Sequence, residues 1–246
     1  MKPHEHANRE VLQRILLTVT AVGMALSSVL VTFDAGGPGE AITPPGPFFA
    51  IWGLVIALCL AVAGSSWWRL NPVLVERIGW ALIVAQLGFT AWLFVASAGS
   101  GIGTVAVFVV ILASLLVAIA RLRCVPPGPG VRLAGTAVGL YVGWSSAAIW
   151  LNIVTTLPTR LAESTPVQCA GLVGAGFTAA AVLRLLHPAA AYPAAVAWGL
   201  IGVSVSAFGH RAWPQLVVAI VALLVVAVLS VTSRPTELSR GWCNDI

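Results

Sequence analysis

The chain has 246 residues, 59% of them hydrophobic and only 9% charged, with a mean hydropathy of +0.98. A soluble domain carries about 25% charged residues, so this chain lacks the polar groups to face water and its solvent is lipid. Its basic excess, 13 Lys+Arg against 8 Asp+Glu, is scattered through short loops, whereas nucleic-acid binding needs a clustered basic surface.

Apolar runs follow one another at about 11–33, 47–66, 77–97, 102–120, 132–156, 166–186, 190–208 and 213–231. A spanning helix needs about 20 residues, and backbone in lipid must satisfy its own polar groups. The predicted fold is therefore all-α, a polytopic membrane bundle of about eight transmembrane helices. A β-barrel would need short alternating segments, which are absent. The first run has a long charged lead, Lys2 to Arg14, and reads as a retained span rather than a cleaved signal. Before the second run, Asp34 to Gly46 is rich in Gly and Pro, and Pro44, Pro45 and Pro47 stiffen the helix start. The loop CVPPGPG, Cys124 to Gly130, is a tight turn. The seventh run is the weakest, being short and following His187-Pro188 with little polar loop.

Charge placement tests this count. With the N-terminus inside, the inner segments hold Lys2, Arg9, Arg14, Arg69, Arg77, Arg121, Arg123, Arg132, Arg184, Arg234 and Arg240, and the outer ones only Arg160 and Arg211. This is the positive-inside pattern, with both termini cytoplasmic. Dropping the seventh span would weaken it.

Several absences discriminate. Lys2 is the only lysine, so no retinal Schiff base forms inside the bundle. All eight acids fall outside the apolar runs, in expected loops or tails, which disfavours ion coupling through an intramembrane carboxylate. No HExxH, GxSxG or Walker loop appears, so no catalytic constellation is visible. The cysteines, Cys59, Cys124, Cys169 and Cys243, have no metal-ligand spacing, and neither a zinc site nor a disulfide framework is expected. His4 and His6 read as a solvated tail. Trp67, Trp68, Trp213 and Trp242 fall near predicted interfaces, as an aromatic belt would place them.

The fifth span, from Arg132, carries two stripes at helical spacing. Gly135, Gly139, Gly143 and Ala147 form a small-residue stripe that lets another helix approach closely. Tyr141, Trp144, Ala148 and Asn152 share the other. That face suits a flat hydrophobic ligand, with rings to stack, a gap, and an amide to orient a polar edge; core packing is the alternative. Gln86 and Asn152 are equally suited to hydrogen bonds across helices.

Three stretches resemble the TspO/MBR family, the tryptophan-rich sensory or translocator proteins. They are Thr43-Pro44-Pro45-Gly46 with Phe49-Ala50-Ile51-Trp52-Gly53-Leu54, Gln86-Leu87 with Trp92 and Phe94, and Tyr141-x-x-Trp144-x-x-x-Ala148-x-x-x-Asn152. Thr90 and Leu140 stand where the family has Asn and Pro. The resemblance implies a five-helix bundle over residues 1–156, with about three appended helices and a short tail over 157–246. It implies a pocket for a porphyrin or haem, or a sterol-like ligand, with no cofactor required. By the same carry-over, Trp52 and Trp144 would be the binding tryptophans, Pro44 and Pro45 the cap, and Ala148 and Asn152 the floor, with Gln86 and Trp92 nearby. It further implies a sensor or receptor, commonly a homodimer, in a bacterial inner membrane. A small-molecule transporter, or a structural membrane protein without a ligand, stays open beside it.

Overall fold

The structure, a computed structural model, describes residues 3–31, 40–68 and 72–233, and the side chains of 8–31, 40–68 and 73–233. Lys2, Asp34, Arg69, Arg234, Glu237, Arg240, Trp242, Cys243 and Asp245 therefore lie outside the described residues.

Eight helices are long and apolar enough to cross a membrane. They are α1 (Pro3–Leu30), α2 (Ile51–Ser65, which spans together with the 3-10 turn Gly46–Ala50 running into it), α3 (Pro72–Ser97), α4 (Gly101–Leu122), α5 (Pro129–Thr156), α7 (Thr165–Leu186), α8 (Ala191–Gly209) and α9 (Trp213–Thr232); α6 (Thr159–Ala162) is a single turn. No strand occurs among the described residues. The weak seventh run is the full helix α8.

Local chemistry sets the ends. Ser100 caps α4, its Oγ accepting from the Gly103 N–H at 3.3 Å, after a left-handed turn at Gly99 (φ 72°) that favours glycine. Prolines open α5, α7 and α9 within their first two positions, where a missing N–H costs no helical bond. Helix α7 ends on His187 in the left-handed region (φ 42°), and Pro188 follows, which cannot continue the helix.

Helix α5 is the axis of the bundle, packed by α2, α4, α7 and α8; α3 packs between α1 and α4, and α9 closes on α7 and α8. One core cluster runs from Leu17 and Met24 of α1 through Tyr141 and Trp144 to Tyr192 of α8 and Val226 of α9. Large apolar side chains on the outside, among them Ile102, Phe177 and Val231, face hydrocarbon rather than water.

The glycine stripe meets α8. A Cβ at Gly143 would sit 2.4 Å from the Tyr192 carbonyl oxygen, and one at Gly139 3.1 Å from the Ala191 Cβ. Only glycine lets the two backbones come this close.

Cys59 and Cys169 are free thiols, whereas Cys124 is disulfide-bonded. The expectation of no disulfide is corrected there. Bridging depends on which Cα atoms the fold brings within about 7 Å, and linear spacing does not carry that.

Candidate functional site

The segment before α2, Glu40 to Ala50, reads EAITPPGPFFA. It forms two 3-10 turns, Glu40–Ile42 and Gly46–Ala50, with Pro45 capping the second. Proline fixes φ and lacks an N–H, so the helical path begins after Pro45: within this strap the Gly46–Ala50 turn runs on into α2, and Glu40 to Pro45 lies outside it.

The strap is latched to α8. Ile42 is fully buried, packed in a cluster with Val154, Leu172, Val203 and Ala219. A Cβ at Gly202 would lie 2.8 Å from both Phe48 and Pro44, so this glycine makes the seat. Phe48 packs on Trp198 with centroids 4.8 Å apart, and the Trp198 Nε1–H donates to the Phe48 carbonyl at 2.8 Å. The Ser206 hydroxyl donates to the Glu40 carbonyl at 2.7 Å. A His210–Glu40 contact of 3.7 Å is solvent-exposed and adds little.

Next to the strap lies an aromatic cluster centred on Trp52, near the start of α2. Its ring centroid is 4.7 Å from Phe89, 5.7 Å from Tyr141, 6.0 Å from Trp92 and 6.3 Å from Trp144. Phe49 of the strap meets Trp144 edge-on at 5.6 Å, and Trp92 meets Phe108 at 5.5 Å. Pairs of this geometry contribute about 0.5–1.5 kcal/mol each beyond burial. Tyr141 is fully buried, its hydroxyl donating to the Ala85 carbonyl at 2.8 Å. The Trp52 Nε1–H is buried without an acceptor. An unmade bond of this kind costs about 1–3 kcal/mol.

Behind Trp144 is an apolar void of about 10 Å³, lined by Pro44, Trp144, Ala148, Leu151, Gly199 and Leu200 among others. That is at most room for one water.

The sequence-expected residues thus fall into three groups. Trp52, Trp92, Tyr141 and Trp144 share the cluster, and Pro44 and Ala148 join Trp144 around the void. Pro45 sits half-buried in the strap. Gln86 and Asn152 are elsewhere. Gln86, fully buried, accepts from the Thr20 hydroxyl at 2.5 Å and meets the Cys59 thiol, tying α1, α2 and α3 together. Asn152 donates to the Ala148 carbonyl of its own helix at 2.8 Å and does not line the void.

Sequence reasoning did not single out Phe89, Phe108, Gly199, Gly202, Trp198 or Ser206 for the site. Phe89 was legible in principle, three residues before Trp92 on one face of α3. The α8 residues carried no signal, because their role is to hold a segment more than 140 residues away in sequence.

Residues 37–233 match the model of a family described as TSPO-like protein. The chain belongs to that family. The match covers the strap and runs through α9, leaving α1 outside it. With eight spanning helices, this TSPO-like protein is an integral, multi-pass membrane protein. No curated protein and no solved structure matches the chain.

Proposed function

We propose that this TSPO-like protein is a membrane sensor or receptor that binds a flat apolar ligand, such as a porphyrin, against the Trp52–Trp144 cluster. One observation carries the reading. Trp52 presents a ring with aromatic neighbours on several sides and an indole N–H buried without an acceptor. A flat ring system with a polar edge supplies both a stacking face and that acceptor.

A void of about 10 Å³ does not hold such a ligand, since sites for small molecules run to roughly 300–1,000 Å³. Binding therefore requires the strap to lift, breaking the Trp198 and Ser206 hydrogen bonds and withdrawing Phe49 from Trp144. This gives the proposed division of the chain a function. Residues 1–156 supply the aromatic cluster, and 157–246 supply the latch that holds the strap closed. The positive-inside pattern favours a strap on the outer face with both termini inside, and the membrane in this reading is a bacterial inner membrane. The family resemblance favours a homodimer.

The test is quenching of tryptophan fluorescence by protoporphyrin in detergent-purified protein. Trp52→Phe with Trp144→Phe weakens binding, and Ser206→Ala with Trp198→Phe, which loosens the latch, strengthens it. Unchanged porphyrin affinity in the Trp52/Trp144 double variant sinks the site.

A further inference from the structure

At the opposite end of the bundle from the strap, a second cavity of about 380 Å³ opens where α4 ends, α5 begins and α7 turns into α8. Its rim carries Arg123, Arg132 and His187, and its inner wall is apolar, with Ile119, Leu122 and Val131 around Gly135 and Gly139. We propose that this cavity binds an anionic phospholipid, the phosphodiester at Arg132 and one acyl chain along the Gly135–Gly139 wall.

Charge argues for an anion. None of α4, α5, α7 or α8 contains a single Asp or Glu, and neither does the 123–128 turn or the 187–190 turn. Among the described residues, the elements that build the cavity thus bring two arginines and no carboxylate to its rim. Arg132 is exposed and makes no ion pair among the described residues. Arg123 donates to the Leu185 carbonyl at 3.0 Å, which fixes it on the rim. Arg132 also stands in the first turn of α5, where the positive end of the helix dipole favours a negative group.

Shape argues for a lipid rather than a free ion. From Arg132 to Gly139 the wall runs about 10 Å along the helix, far deeper than phosphate alone would fill. The volume falls within the roughly 300–1,000 Å³ of small-molecule sites. Gly135 keeps it open. A Cβ there would already touch Leu122 at 3.5 Å and Ala189 at 3.7 Å, so a longer side chain would fill the space between them. Pro127, Arg132 and Ala189 are exposed at the mouth, at the arginine-rich end of the spans, which is the level of the lipid headgroups. Basic pockets between helices on the cytoplasmic side suit anionic headgroups.

The experiment is native mass spectrometry of the full-length protein in detergent, titrated with phosphatidylglycerol and with phosphatidylcholine of identical chains. Phosphatidylglycerol is expected to be retained about fivefold better per engaged arginine. Arg132→Gln should erase most of that preference and Arg132→Lys restore much of it. Gly135→Leu should displace the lipid, with folding checked by circular dichroism; Arg132→Gln, at an exposed position, keeps the test valid if that variant misfolds. Equal retention of the two lipids overturns the proposal, as does an unchanged preference in Arg132→Gln. Competition by inorganic phosphate as effective as phosphatidylglycerol itself also overturns it, in favour of a free-anion site. Porphyrin binding at the other end does not enter these outcomes.

Discussion

Replacing Gly143 by alanine is a sharp test of how α5 and α8 are held together. The added Cβ would stand 2.4 Å from the Tyr192 carbonyl oxygen and 2.8 Å from the Ala195 Cβ. Contact becomes ordinary only at 3.4 Å, so the helices must part by about 1 Å. The obstructing atom is backbone, so no side-chain rotation relieves it. Overpacking costs about 1–3 kcal/mol, and an immovable neighbour places this site near the top of that range. Alanine regains about 1 kcal/mol of helix propensity over glycine. The net loss is about 2 kcal/mol. Parting the helices also stretches the Ser146–Tyr192 hydroxyl contact of 3.2 Å. Gly135→Ala is the control, because its Cβ meets nothing closer than 3.5 Å and should keep the propensity gain of up to about 1 kcal/mol. The two variants should therefore differ by about 3 kcal/mol in reversible unfolding in mixed SDS micelles. If Gly143→Ala is as stable as Gly135→Ala, the close α5–α8 approach is refuted.

Two further outcomes follow from buried and reactive groups. The Gln215 Nε2–H donates to the Gln168 Oε1 at 2.8 Å, and Gln168 in turn donates to the Ala162 carbonyl at 2.8 Å. Gln215→Leu leaves a buried acceptor unpaired and should cost about 1–3 kcal/mol, while adding Gln168→Leu should cost less than the sum of the single changes; strict additivity in the same unfolding assay rejects the coupling. At Cys124 two rules pull apart. The arginine bias puts it on the cytoplasmic side, whereas disulfides persist on oxidising sides. We expect a membrane-impermeant maleimide to modify Cys124 only after reduction and only in inside-out vesicles; labelling in right-side-out vesicles would invert the topology.

The composition alone determined that this is a helical membrane protein, because 9% charged residues leave no way to face water. Periodicity and the lengths of the apolar runs set eight spans, and the eight long helices begin and end within a few residues of the expected boundaries except at the starts of α1 and α3, where the charged lead is also helical; the short turn α6 was not expected. The small-residue stripe on α5 announced a close neighbour, but only the fold identified it as α8. The aromatic motif led to Trp52, Tyr141 and Trp144, because ring type and spacing are local properties. It set Asn152 on the same face without showing that its amide bonds its own helix, since spacing says which face a residue shares but not which partner lies nearest. The strap's latch, the seat at Gly202 and the arginine-rimmed cavity belong to tertiary structure. Each joins segments far apart in sequence, and helices in a bilayer settle their neighbours by shape and polar pairing, which no single span carries within itself.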